Sequence, residues 1–152
     1  MLIIKTQKRQ KGHAVLEVSL MAPWIFFLFM GTLDFGFYTY AAIATENAAR
    51  IAVSQSSYDA TTAGNAATAC KYALGELKSL PNMSSVTTCA SSSSGIDSTH
   101  PVAVTATQVV GADGTLASQV AVTYQTIQMI PIPGLSGQLT LTRVAQMRLK
   151  DQ

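Results

Sequence analysis

The sequence predicts an α+β protein in which a long N-terminal transmembrane helix precedes a small head with a second helix and a three- to four-stranded antiparallel sheet. Residues 18–33 contain no charged side chain, and from residue 102 onward apolar residues alternate with small or polar ones. A charge-free run is typical of a membrane span, and a period of two is typical of a strand with one buried face. The predicted organisation is a basic leader (1–12), the helix with its extension (13–55) and the head (56–152).

Charged residues are few in this chain, and they are unevenly placed. They make up 12% of the 152 residues, against about 25% in soluble domains. Four basic residues lie before Gly12, and the next one is Arg50. Because basic residues stay on the cytoplasmic side of a membrane, this asymmetry predicts a cytoplasmic N-terminus and a lipid bilayer as a partner. A net charge of +2 with no basic cluster on the head argues against a nucleic-acid partner.

The charge-free run sets the length of the predicted span. At about 1.5 Å per residue, residues 18–33 form a helix of roughly 24 Å, which is shorter than the roughly 30 Å of the hydrocarbon core. Starting the span at His13 closes the gap and places Glu17 about one turn inside the membrane boundary. Because a carboxylate is costly there, Glu17 is predicted to have a function and to need a partner. Pro23 predicts a kink and not an end, since membrane helices tolerate proline.

The secondary structure of the head is predicted from a proline that ends a helix, from a glycine-containing turn and from alternating apolar residues. A helix at residues 67–80 ends before Pro81. Large apolar residues alternate with alanine or threonine at Val102–Thr105 and at Val120–Tyr124, which predicts two strands. Gly111–Gly114 predicts the hairpin turn between them. A last strand is predicted at the C-terminus.

The two cysteines, Cys70 and Cys89, both follow the apolar run. If the head is exported, we expect them to form a disulfide, since oxidising compartments favour pairing. Two unrelated buried thiols are the alternative. A zinc site is not expected, because two cysteines without a further ligand at metal-binding spacing cannot fill four coordination positions.

The two histidines offer little support for catalysis. Neither His13 nor His100 has a cysteine, a carboxylate or a second histidine at ligand spacing. Asp97 and His100 resemble half of a catalytic pair, but no serine or cysteine in a nucleophile context accompanies them. The sequence therefore predicts no enzyme: no catalytic residue, no metal, no cofactor and no small-molecule substrate.

Three interpretations compete for the N-terminus. A secretory signal would be cleaved after Ala44, although the apolar run is long for such a signal. A plain signal anchor explains the basic flank and the span but gives no reason for Glu17. A precursor of the type IV pilin kind explains both Gly12 and Glu17, because it combines a basic leader, a glycine and an apolar helix with an early glutamate.

In the third interpretation a prepilin peptidase cuts between Gly12 and His13. Glycine suits this position because it has no side chain to obstruct the approach of the peptidase to the backbone. Glu17 then becomes the fifth residue of the mature chain. In an assembly, this carboxylate can pair with the new α-amino group of a neighbouring subunit, which offsets the cost of burying both charges.

The stretch KGHAVLEVSLMAPWIFFLFMGTLDFGFYTYAAIATENAARIAV carries a resemblance to a known family. It is similar to the N-terminal segment of TadE-like pseudopilins, which belong to the tight-adherence (type IVc, Flp) pilus system. The resemblance extends over about residues 9–55, and the closing strand is also similar to the family's usual C-terminus. The matching positions are Gly12, Glu17, Pro23, Gly36, Asn47, Ala48, Ala49 and Arg50.

The resemblance implies a structural, pilin-like function: a minor pilin or assembly factor of a Tad-type pilus, which supports adherence or secretion. It implies a single-pass protein of the bacterial inner membrane, with a small pilin-like head in the periplasm or outside the cell. The implied partners are other pilins or pseudopilins, the prepilin peptidase and the pilus assembly machinery. The alternative is a membrane-anchored periplasmic binding module that is not part of a pilus and does not need Glu17.

The small residues of the Asn47-Ala48-Ala49-Arg50 segment have two interpretations. They allow the head to pack closely against the emerging helix, with Arg50 solvated. They equally allow close packing against the helices of neighbouring pilins, as small residues do in membranes.

Overall fold

The computed structural model describes residues 11–129 and 137–150 of the chain. The predicted leader lies outside these residues, apart from its last two positions. The described part contains two α-helices, one short 3₁₀ turn and one three-stranded sheet, which confirms the predicted α+β fold. The elements are α1 (Lys11–Ser56), α2 (Ala66–Leu77), the 3₁₀ turn (Ser93–Gly95), β1 (Val102–Val110), β2 (Leu116–Gln125) and β3 (Thr140–Arg148).

Helix α1 is 46 residues long and contains Pro23 in its interior. At about 1.5 Å per residue it measures roughly 69 Å. By its contacts the chain divides into two compact units, one up to Phe37 and one from Tyr38 onward. The second unit, which is the head, therefore includes the last part of α1.

Helix α2 begins at a side-chain cap. Asn65 accepts hydrogen bonds from the backbone N–H groups of Ala67 and Thr68, at 3.0 and 3.1 Å, and such a cap contributes about 1 kcal/mol. The helix ends at Leu77, three residues before the predicted end. Lys78 keeps helical backbone angles, and Leu80 then donates to the Leu77 carbonyl at 2.9 Å in a tighter turn that precedes Pro81.

The sheet is antiparallel throughout, in the order β1-β2-β3. Val104 lies opposite Val122, which lies opposite Arg143. The predicted hairpin turn joins β1 and β2: Gly111 donates to the Thr115 carbonyl at 2.7 Å. Gly114 has a φ of +77°, a left-handed conformation that favours glycine.

The core of the head lies between one face of the sheet and the two helices. Large side chains come from β1 and β2, where Val104, Val122 and Tyr124 are fully buried. Helix α2 contributes Leu74 and Leu77 to the core. Helix α1 contributes mainly small residues that share one face, because they recur at intervals of three and four. They are Ala41, Thr45, Ala48, Ala49, Ala52 and Ser56.

Two of these core residues carry hydroxyl groups, which α1 itself satisfies. Thr45 Oγ1 donates to the Ala41 carbonyl at 2.7 Å, and Ser56 Oγ donates to the Ala52 carbonyl at 2.8 Å. Because both hydroxyls are hydrogen-bonded within the helix, their burial leaves no unpaired donor. The small side chains therefore allow close packing against α1 without a polar penalty.

Candidate membrane and assembly segment

The N-terminal half of α1 carries the features of a membrane span. Within the described part of the chain, α1 is the one helix long and apolar enough to cross a membrane, with a mean hydropathy of 1.8 over its most apolar window. Large apolar side chains lie exposed on all sides of it, as in a helix surrounded by lipid. They are Val15, Leu16, Val18, Leu20, Met21, Trp24, Ile25, Phe26, Phe27, Leu28, Phe29, Leu33 and Phe35. The chain is therefore anchored by a single pass.

The hydroxyl side chains of the span are satisfied by their own helix. Ser19 Oγ donates to the Val15 carbonyl and Thr32 Oγ1 donates to the Leu28 carbonyl, both at 2.8 Å. Such bonds to the preceding turn remove the cost of placing a hydroxyl in an apolar medium. These two polar residues need no partner from outside the chain.

Glu17 differs from these hydroxyl residues. Its side chain is exposed on α1, and within the described ranges it has neither a hydrogen-bond nor an ion-pair partner. An unpaired charge near the centre of a membrane helix costs roughly 2.5–3.5 kcal/mol, and less near the interface. The carboxylate of Glu17 would therefore gain from an external cation.

The predicted cleavage bond, between Gly12 and His13, lies in the first turn of α1. The first N–H groups of a helix have no partner within it, and glycine is about 1 kcal/mol less favourable than alanine in a helix. This turn is therefore easier to unwind than the turns that follow. Cleavage at this bond stays a prediction.

Pro23 lies within the continuous helix α1, and the kink assigned to it stays a prediction. Glu17, Met21 and Phe29 line a shallow groove along one side of the span. At about 100° per residue, Pro23 falls on the opposite side. A proline bends a helix away from its own side, so a groove opposite Pro23 is the surface that such a bend would produce.

Asp34 is the first charged residue after the apolar run. Its Oδ1 atom is buried and has no hydrogen-bond partner among the residues that the structure describes. An unpaired buried carboxylate oxygen is costly.

The Asn47–Arg50 segment divides into a buried and an exposed half. Ala48 and Ala49 are 0% exposed and belong to the core of the head. Asn47 and Arg50 are exposed, and Arg50 Nε lies 2.9 Å from Glu46 Oε1. The head's own core thus covers both alanines, while contact of the exposed half with neighbouring helices stays a prediction.

Cys70 and Cys89 form the predicted disulfide. Their Cα atoms are 6.0 Å apart, and the bridge joins α2 to the segment that precedes β1. Closing a loop of this size stabilises the fold by about 3 kcal/mol in the chain-entropy model. A disulfide also agrees with an oxidising compartment for the head.

Asp97 and His100 belong to a turn. Asp97 Oδ1 accepts hydrogen bonds from the Thr99 hydroxyl at 2.6 Å and from the His100 N–H at 2.7 Å. The Thr99 hydroxyl, followed by the His100 and Thr99 N–H groups, lowers the pKa of Asp97 to about 2. The carboxylate therefore shapes the loop ahead of β1. In the described part of the chain, no three His, Cys, Asp or Glu side chains are grouped to hold a metal.

The comparisons with known proteins agree with the features of α1. The family model described as "TadE-like protein" matches residues 12–54. No curated protein and no solved structure matches the chain. The match begins at the glycine of the predicted cleavage bond, and it includes Glu17, Pro23 and the Asn47–Arg50 segment. Residues 12–54 are therefore a TadE-like segment, which confirms the resemblance found in the sequence.

Proposed function

We propose that this protein is a pilin-like membrane protein that acts in the assembly of a Tad-type pilus used for adherence or secretion. The observation that carries the proposal is Glu17, a carboxylate that has no ion-pair partner among the described residues and lies in an apolar span that matches the TadE-like family. A plain anchor has no use for such a charge, whereas an assembly of helices can use it to fix the register between subunits. The family is a structural one, so no catalytic function is part of the proposal.

The proposed location is the bacterial inner membrane. The basic residues before Gly12 lie in the cytoplasm, and the head lies in the periplasm or outside the cell. The Cys70–Cys89 disulfide supports this orientation, because such bonds persist in oxidising compartments.

In the proposed assembly step, the prepilin peptidase removes residues 1–12 and leaves an α-amino group on His13. The amine of one subunit pairs with Glu17 of its neighbour, whether that neighbour is another copy or a different pilin. The pair offsets the cost of burying either charge alone. The surrounding apolar side chains supply nonspecific packing, so the charge pair sets the register.

The cleavage step is tested by mass spectrometry of the protein isolated from cells that make the pilus. We expect a mature chain that begins at His13. Replacing Gly12 by leucine is expected to leave a precursor about 12 residues longer, because the side chain obstructs the peptidase. An intact Met1 in pilus-forming cells would contradict the cleavage step.

The role of Glu17 is tested by Glu17→Gln, which keeps the size of the side chain and removes its charge. We expect a loss of pili or of pilus-dependent secretion, with the membrane content of the protein unchanged. Glu76→Gln is the matched control, since Glu76 is an exposed carboxylate on α2 of the head. If both variants assemble normally, the alternative of a membrane-anchored binding module outside any pilus is favoured.

A further inference from the structure

An open groove of about 720 Å³ lies on the head, between α2 and residues 86–91. Its base is apolar, formed by Leu74, Val86 and Val104 together with the disulfide. The sequence pattern does not predict this groove, because only the fold brings its two walls together. The groove lies entirely within the head unit and does not involve the membrane segment.

One wall of the groove is formed by residues 86–91, which pair with β1 only at Ala90. Ala90 pairs in parallel with β1: its N–H donates to the Val102 carbonyl at 2.9 Å, and its carbonyl accepts from Val104 N–H at 3.3 Å. For Thr87, Thr88 and Cys89, no described residue hydrogen-bonds to the backbone N–H or C=O. Exposed backbone groups of this kind are a template for one more strand.

The other wall is positively charged. Lys71 lies on α2 and Lys78 is its C-cap with helical backbone angles, seven residues or about two turns later, so both lie on one side of the helix. Neither has a carboxylate within 4.0 Å in the described part of the chain, and no acidic residue lines the groove. Gly75 lies between the lysines, and a Cβ atom added there would meet nothing within 4 Å.

We propose that this groove binds an extended acidic segment of another protein, which adds as a strand along residues 86–91 and directs carboxylates toward Lys71 and Lys78. The lysines alone would also suit an anionic lipid headgroup. A headgroup, however, makes no use of a row of backbone donors and acceptors next to an apolar base. The backbone groups of residues 87–89 that stay free within the described structure, the apolar base and the two lysines together fit a peptide.

The disulfide joins the two walls of the proposed site. Cys70 lies in the wall formed by α2, and Cys89 lies in the wall formed by residues 86–91. Residues 86–89 belong to no regular element, so the covalent bond keeps them beside α2. This inference goes beyond the pilus proposal, because it requires neither cleavage of the leader nor Glu17.

The test is site-specific photo-cross-linking of the full chain in cells that make it. A benzophenone amino acid replaces Gly75 in one variant and Thr88 in another, and the cross-linked peptide is sequenced by mass spectrometry. Both positions are expected to capture the same acidic, extended segment of one protein. Gln55, which is exposed outside the groove, serves as the control position and is expected not to capture it. Cross-links to lipid, to segments without acidic residues, or to nothing would overturn the proposal.

Charge and backbone variants test the two walls separately. Lys71→Glu with Lys78→Glu is expected to reduce the cross-link yield by roughly tenfold or more, whereas Lys71→Arg with Lys78→Arg retains it. Lys150→Glu, a charge reversal outside the groove, leaves the yield unchanged. Thr87→Pro removes one backbone N–H donor and is expected to reduce the cross-link yield. Thr87→Val keeps that donor and is expected to leave the cross-link yield unchanged. An intact disulfide, checked by thiol alkylation, shows that each variant is folded. A yield that survives charge reversal would contradict the proposed ligand.

Discussion

The phenol of Tyr124 donates a hydrogen bond to the side-chain oxygen of Asn82, 42 residues earlier in the chain. The amide of Asn82 in turn donates to the Gln125 carbonyl at 3.2 Å. Tyr124 is fully buried in β2, the central strand, and burial raises its pKa to about 12. The pair therefore attaches the loop after α2 to the sheet through two partly buried hydrogen bonds.

Replacing Tyr124 by phenylalanine is expected to lower the free energy of unfolding by about 1–3 kcal/mol, because it leaves the Asn82 oxygen without its donor. The measurement is urea unfolding of the full chain in detergent micelles, followed by circular dichroism. Tyr58→Phe is the control, since Tyr58 is 61% exposed. Equal losses of unfolding free energy in the two variants would show that the Tyr124–Asn82 hydrogen bond contributes nothing.

The turn ahead of β1 is expected to lose stability in acid. The Thr99 hydroxyl and the N–H groups of His100 and Thr99 lower the pKa of Asp97 from 3.8 to about 2. Because the folded-state pKa is the lower one, the contribution of Asp97 is complete above pH 3.8 and disappears as the pH falls through about 2. The amide chemical shifts of Thr99 and His100 should report this step by NMR. Asp97→Asn, which keeps an acceptor but cannot titrate, should remove it.

The disulfide is expected to account for a measurable part of the stability of the head. Replacing Cys70 and Cys89 together by serine should lower the free energy of unfolding by about 3 kcal/mol, the value for releasing a loop of this length. Reduction of the unchanged protein by dithiothreitol is the matched control and should give the same loss. A much smaller loss would show that the reduced chain retains the loop through its other contacts.

Two glycines of the head should respond to alanine in opposite directions. Gly114 has a φ of +77°, so Gly114→Ala is expected to destabilise the hairpin by about 1–2 kcal/mol. Gly75 lies in α2 with open space around its Cα, so Gly75→Ala is expected to stabilise the head by about 1 kcal/mol. Urea unfolding of both variants measures the two changes in unfolding free energy. If both variants were stabilised, or both destabilised, the conformational explanation would be contradicted.

The sequence by itself determined the features that depend on local pattern. The charge-free run predicts the span, the period of two predicts the strands, and Gly111–Gly114 predicts the hairpin turn. The positions of Gly12 and Glu17 carried the resemblance that the family match over residues 12–54 confirms. These features depend on residues that are close together in the chain, so they can be predicted from the sequence alone.

Only the tertiary structure decided which residues meet across the fold. It placed Ala48 and Ala49 in the head's core and Asn82 against Tyr124. It also formed the groove between α2 and residues 86–91. The burial of a side chain and the shape of a groove depend on contacts between residues that are distant in the chain. The periodicity of a single sequence does not predict such contacts. The pattern of one chain thus predicts which element a residue belongs to, while packing decides what it contacts.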